Sequence, residues 1–232
     1  MPNAIHVGVF DTAFHQTMPE ESYMYAVPYE WYKDYAVRRY GMHGTSHKFV
    51  SKRLNEIINK PESKIIVCHL GNGGSISAVV NGKCVDTSMG LTPNAGIVMG
   101  SRCGDIDASI IPYIMEVTGM SIEEVDNALN KKSGLLGISG ISSDARDVED
   151  GANEGNSRCI LAEKLYVRKV VEYIAKYYVE MEGCDAIAFT AGLGENSIKT
   201  RKDIMDKLSV LGIKCDEEAN NIRGKEQLVS SK

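Results

Sequence analysis

Apolar residues along the chain follow two rhythms. Short unbroken runs, "AIHVGVFD" near the start, "KIIVCHL" at 64–70 and "CDAIAFT" at 184–190, have the length and β-branched content of buried strands. Two further strands, "SISAVV" and "KCVDTS", flank Asn81-Gly82, a dipeptide that favours the tight turn of a hairpin. Elsewhere the apolar positions recur at helical spacing. "HGTSHKFVSKRLNEIINK" sets Phe49, Val50, Leu54, Ile57 and Ile58 three or four apart, with Pro61 just beyond its end and Thr45 or Ser46 suited to cap its start. "ASIIPYIMEVTG" and "SIEEVDNALNKKSG" predict two more helices, the second with a capping box from Ser121 and Glu124 and Gly134 as its C-cap. The longest helix is expected from Arg158 to Glu182, with Leu161, Leu165, Ile174 and Tyr178 on one face. A last strand, turn and helix run through "CDAIAFTAGLGENSIKTRKDIMDKL". Segments 12–35, 89–107 and 133–156 lack periodicity and are expected to be irregular or loops, and the tail after Leu211 holds at most a short strand. The order is a βββ meander followed by alternating helices and strands, βββαβαβα, which predicts an α/β fold with a mixed sheet and argues against a Rossmann sheet.

Composition narrows the function classes. The 232 residues carry a net charge of −5 with no cluster of Lys and Arg, which excludes a nucleic-acid partner on electrostatic grounds. No apolar run approaches the ~18 residues of a membrane span and no basic leader precedes the first strand, so the expectation is a cytoplasmic protein. Six scattered cysteines form no C-x-x-C pair, which points to reduced thiols and away from structural zinc.

Glycine-rich connections hold the candidate chemistry. In His69-Leu70-Gly71-Asn72-Gly73-Gly74-Ser75, glycines let successive amides turn into one concavity, a device for binding an anion; a plain glycine-rich turn is an equally good reading of the loop alone. Gly192-Leu193-Gly194-Glu195-Asn196, between a buried strand and a helix, is a second candidate nucleotide contact, or else a close turn with Asn196 or Ser197 as N-cap. Arg102 stands among glycines, free to clamp a phosphoryl group or to pair with Asp105 or Asp107. His43 and His47 flank small hydroxyl residues at a helix start, where phosphate contact or capping suits them better than zinc. Asp11 ends the first strand, where a carboxylate could meet substrate or metal, or cap a turn.

"VFDTAFHQTMP", "RRYGMHGTSH", "VCHLGNGGSISAVVNGK", "LTPNAGIVMGSRCGDID", "SSDARD" and "FTAGLGEN", in this order, closely resemble the blocks of the acetate kinase family. The resemblance implies an actin-like ATPase (ribonuclease H-like) domain with helices on both faces of the sheet. It implies reversible phosphoryl transfer from ATP to acetate with Mg2+, giving acetyl phosphate and ADP, in a homodimer. Asp11, His43 and Arg102 match the family's catalytic positions and Pro93 the acetate methyl pocket. His69, Leu70, Gly71, Asn72 and Gly73 match the phosphate-contacting hairpin; Asp144, Ala145 and Arg146, with Gly192 to Asn196, match the adenosine site. Full-length members begin with a domain that precedes "VFDT" and end with a segment that binds magnesium. By that comparison residues 1–12 close a first domain that is absent here, Met1 corresponds to an internal methionine, and 13–232 form a second, nucleotide-binding domain incomplete at its C-terminus. Such a chain is expected to turn over poorly or not at all by itself, with most metal ligands outside it. A propionate or butyrate kinase, or a non-catalytic nucleotide-binding module of the actin and Hsp70 type, are the alternative readings.

Overall fold

The computed structural model describes residues 4–231. Three strands form the expected meander: β1 (Lys64–Leu70), β2 (Gly74–Val80) and β3 (Lys83–Thr87). β1 and β2 pair antiparallel from Lys64↔Val80 to Leu70↔Gly74, so the glycine-rich stretch is a hairpin connection of three residues. Asn81 and Gly82 both have positive φ, 51° and 76°, as the tight β2–β3 turn requires. A fourth strand, β4 (Ala186–Thr190), joins β1 in parallel, giving the order β3-β2-β1-β4, a mixed sheet.

Helices cover both faces of this sheet. On one face lies α3 (Gly44–Ile58), whose Val50 and Leu54 pack with Phe14 over Ile65, Val67 and Val79. The opposite face of β1 and β2, Ile66, Cys68, Leu70, Ile76 and Ala78, forms the larger core. Its cover is α8 (Ser157–Glu180), through Cys159, Ala162, Tyr166, Val167, Val170, Ile174 and Tyr177. Burying β1 on both sides explains why "KIIVCHL" is apolar throughout rather than alternating.

The remaining helices differ in instructive ways from the sequence pattern. Before α3 the segment expected to be irregular forms a 3-10 turn (Ala13–Thr17) and two short helices, α1 (Glu20–Tyr23) and α2 (Tyr29–Tyr35). After β3, α4 (Ile110–Thr118) and α5 (Ile122–Lys131) lie where they were expected, and the Ser121–Glu124 capping box is formed in both directions. Gly134 does not cap α5, whose C-cap is Lys132; it opens α6 (Gly134–Ser139) with φ +62°. With α7 (Ala145–Asn153), α6 turns most of the supposed loop at 133–156 into helix, because short amphipathic turns carry too few apolar residues to register a period. On α8 the core stripe runs through Tyr166, Val170, Ile174 and Tyr177; Leu161 points to solvent, Leu165 is half-buried, and Tyr178 packs at the edge of the core. Phe49 and Ile57 of α3 are likewise exposed. The chain ends with α9 (Ala191–Asn196), α10 (Ile198–Lys207), α11 (Glu217–Asn220) and an isolated bridge between Cys215 and Ser230.

"AIHVGVFD" is not a strand. Among the described residues 4–10 it pairs with nothing, and Ile5 and Val7 stand 92% and 78% exposed. Strand propensity alone does not build a strand, since the extended backbone needs a neighbour for its N–H and C=O groups. Residues 1–3, the start of the expected segment 1–12, lie outside the described residues.

Candidate functional site

The site is assembled at the end of β1, where the hairpin meets α3 and the 89–107 loop. α3 starts without the hydroxyl cap expected of Thr45 or Ser46. Its N-cap is His43, held at φ +59°, and the partners of the helix's first amides come from Asp11: His43 N–H donates to Asp11 Oδ2 (2.7 Å) and Gly44 N–H to the Asp11 carbonyl (2.8 Å). Glycine is required at 44, because a Cβ there would overlap that carbonyl. A non-glycine residue in the left-handed region is uncommon, although histidine tolerates it better than most. Here it aims the His43 ring at the hairpin.

His43 stacks on His69, ring centroids 4.2 Å apart. Nδ1 of each ring is tied to a serine, His43 to Ser75 Oγ (2.8 Å) and His69 to Ser46 Oγ (2.8 Å), which turns the Nε2 edges toward the cleft. Arg102 approaches from the other side. Its Nη1 donates to the Pro93 carbonyl (3.3 Å), and none of the ion pairs among the described residues involves it. Both candidate partners are committed elsewhere: Asp105 accepts from Gly96 N–H and the Tyr173 hydroxyl, and Asp107 from Ser109 N–H at the start of α4. Gly73 lies where the two sides converge. A Cβ built on it would stand 3.3 Å from Arg102 Nη1 and 3.6 Å from His43 Nε2. The hairpin tip is braced by Gly100 N–H, which donates to the Asn72 carbonyl (2.9 Å), and by the lack of a side chain at Gly100, where a Cβ would run into Asn72 Oδ1.

The structure thus brings together Asp11, His43, His69, Gly73, Pro93 and Arg102. Gly71 and Asn72 form the rest of the turn, and Leu70 is buried in the core beneath it. Of the second set only Ala145 and Leu193 line a separate hollow between α7, α8 and α9–α10, with Val148, Tyr166 and Lys199; Asp144, Arg146, Gly192 and Gly194 to Asn196 are not part of its lining. Asp144 caps α7 and chelates the exposed Arg146 (2.6 Å), which holds the Asp144 carboxyl down to about 2. "GLGEN" is itself the single-turn helix α9 rather than a bare turn. Its first amide is occupied, Ala191 N–H donating to Glu195 Oε1 (3.0 Å), and Asn196 donates back to the Gly192 carbonyl (2.8 Å), while Gly192 itself remains open. Ser197, not Asn196, caps α10.

His47, expected at phosphate or as a cap, is instead fully buried beneath His43, its ring bonded to Ser75 and Ser77 rather than facing the cleft. Ser46, Ser75 and Ser77 are the site residues whose roles single-residue reasoning missed. Their signal was the polar alternation of "GSISA", serines at 75 and 77 on the α3 face of an otherwise apolar strand.

Burial keeps these imidazoles neutral. Desolvation pushes His69 down to about 4, with His43 acting in the same direction and Asp11 against it. Desolvation likewise lowers His43, Arg102 reinforcing it and Asp11 opposing, and lowers His15 and His47. The unfolded chain takes up these protons near pH 6.5 and the folded chain at lower pH, near 4 for His69. Stability is therefore fully present above about pH 6.5 and drains as pH falls toward 4, by up to about 1.4 kcal/mol per pH unit for each histidine concerned. Thermal unfolding midpoints measured from pH 7.5 to 4 are expected to fall steeply across that window; a flat profile contradicts neutral burial.

The profile of the Acetokinase family matches residues 1–232. The chain belongs to the acetokinase family. An acetate kinase from Halothermothrix orenii is 56% identical over 234 residues, covering 100% of this chain and 59% of that relative. Among solved structures, an acetate kinase from Porphyromonas gingivalis superposes with a TM-score of 0.94 at 45% identity, over 97% of this chain and 57% of the other. A propionate kinase from Francisella tularensis subsp. tularensis gives 0.92 at 48%, over 97% and 58%. The chain therefore spans about three fifths of the length of these acetokinase relatives. The mixed sheet covered on both faces is the α/β, actin-like ATPase fold expected of the acetokinase family. Among the described residues no helix is long and apolar enough to cross a membrane.

Proposed function

We propose that the protein is an acetate kinase, transferring the γ-phosphoryl of ATP to a carboxylate oxygen of acetate to give acetyl phosphate and ADP, reversibly. The observation that carries this reading is the convergence of His43 Nε2 and the unpaired Arg102 guanidinium on Gly73, at the tip of the glycine hairpin. Two anions must meet in line for this reaction, so catalysis lies in positioning and in offsetting charge on the transferred group. Arg102 supplies the fixed positive charge, His43 a polar edge, and the hairpin amides a cradle with no Cβ in the way. Asp144 to Arg146 and Gly192 to Asn196 are assigned to adenosine by their match to the family's blocks. Pro93, whose carbonyl holds Arg102, is assigned to the methyl group of acetate.

Magnesium fits Asp11, whose Oδ2 serves His43 while its other oxygen is uncommitted, in the way Mg2+ uses one or two carboxylates beside nucleotide phosphates and water. No cluster of three acidic, histidine or cysteine ligands exists among the described residues to hold it alone. When bound it would neutralise phosphate charge. The reading includes the remaining two fifths of the relatives' length as a further part of the working enzyme, a homodimeric state and a cytoplasmic location.

A hydroxamate assay with acetate, ATP and magnesium tests it: the whole enzyme is expected to make acetyl phosphate and this chain alone little or none. Full turnover by this chain alone contradicts the division of labour, and none from the whole enzyme contradicts the activity. The propionate kinase neighbour favours one second reading, transfer to propionate. Competition between acetate, propionate and butyrate in the whole enzyme separates them by kcat/KM.

A further inference from the structure

Behind His43 runs a chain of hydrogen bonds that the reaction itself does not touch. Ser75 Oγ lies 2.8 Å from His43 Nδ1 and 2.7 Å from His47 Nε2, and Ser77 Oγ lies 2.7 Å from His47 Nδ1. His47, Ser75 and Ser77 are all shut off from solvent. Each hydroxyl owns one proton and each neutral imidazole one N–H, so the chain runs in one of two directions, apart from an arrangement in which both rings donate to Ser75 and the buried Ser75 proton is left without an acceptor.

In one direction His47 Nδ1–H donates to Ser77, Ser75 donates to His47 Nε2, and His43 Nδ1–H donates to Ser75. His43 then turns a bare lone pair at Nε2 toward the cleft, and the Ser77 proton is stranded, since His47 is its one hydrogen-bond partner among the described residues. In the other direction Ser77 donates to His47 Nδ1, His47 Nε2–H donates to Ser75, and Ser75 donates to His43 Nδ1. Every proton is used, and His43 presents Nε2–H. A buried donor without an acceptor is costly, so the second direction prevails. A doubly protonated His47 would fit neither, and full burial among His15, His69 and His43 opposes that form.

We propose that Ser77, His47 and Ser75 form a positioning relay that fixes His43 as its Nε2–H tautomer, so that a neutral ring offers a hydrogen-bond donor toward Gly73 and Arg102. That this donor serves a transferred phosphoryl group rests on the acetate kinase reading; the tautomer does not. A lone pair in the same place would repel the anion. The second histidine lacks such a device, because Ser46 is only half-buried and can exchange its partner with water.

Long-range 1H–15N correlation spectra of this chain labelled at histidine, recorded at pH 7.5, test the tautomer directly. For His43 a pyridine-type nitrogen at δ1 and a pyrrole-type nitrogen at ε2 are expected; the reverse pattern, or an even mixture, overturns the proposal. Ser77→Ala removes the proton that sets the direction and is expected to shift His43 toward the mixture, whereas Ser77→Thr, which keeps the hydroxyl, retains the wild-type pattern. In the whole enzyme Ser77→Ala is expected to lower kcat about tenfold with KM for ATP little changed, and Ser77→Thr to restore it. An unchanged kcat beside a shifted tautomer overturns the catalytic part. Should the tautomer stand while no variant or wild type phosphorylates acetate, the failure belongs to the acetate kinase reading and the relay survives it.

Discussion

Arg102→Ala is expected to lower kcat for acetyl phosphate formation by a factor of about 100 to 1,000 in the whole enzyme, equivalent to about 3 to 4 kcal/mol of transition-state stabilisation. The reason lies in what Arg102 does not do. Its neighbours Asp105 and Asp107 are taken by Gly96, Tyr173 and Ser109, so its charge is not spent on a local ion pair. Its single backbone contact, with Pro93, aims the guanidinium at the hairpin tip without neutralising it. Removing it takes away a charge and leaves the loop's other supports in place. Lysine is expected to recover little, since a point charge cannot reproduce the planar fork. Steady-state kinetics decide the matter: a rise in KM with kcat intact would assign Arg102 to ground-state binding instead.

The second large effect concerns stability. Gly134→Ala is expected to destabilise the fold by roughly 3 kcal/mol, combining left-handed strain with a clash that backbone must relieve. Gly134 has φ +62°, and a Cβ there would overlap the Met99 carbonyl oxygen and stand 2.8 Å from that of Arg102. This contact is tight because α6 begins by donating to the 89–107 loop, Leu135 N–H to the Met99 carbonyl and Leu136 N–H to that of Gly100, both at 2.9 Å. A methyl group at 134 therefore pushes on the loop that carries Arg102. Chemical denaturation is expected to show a lower midpoint with an unchanged slope, and an unchanged midpoint would mean the loop yields without cost.

These two positions also mark what could be read from the sequence. β1, the hairpin and the Asn81-Gly82 turn were legible, because continuous apolar runs and turn chemistry are local signals. The positions of Asp11, His43, His69 and Arg102 were legible as candidates for the same kind of reason, each being a polar residue set among glycines or at an element's end. Their relations were not. Nothing local says that Asp11 caps α3 across a gap of 32 residues, or that Asp105 is claimed by Tyr173. Gly134 looked like a C-cap because glycine after a helix usually is one; what decided its role was a carbonyl 35 residues earlier. "AIHVGVFD" failed for the same reason in reverse: its apolar pattern is a local signal, and among the described residues no strand of the sheet pairs with it.

The three-residue connection Gly71–Gly73 has a consequence of its own. Side chains on β2 alternate between the two faces, so Ser75 and Ser77 meet His43 and His47 only because the turn is that long. One residue more or fewer would reverse the parity of the strand, offering Ile76 and Ala78 to the histidines and turning the serines into the larger core. Substitution inside the turn alters a contact; a change of its length would rewrite which face of the strand does chemistry.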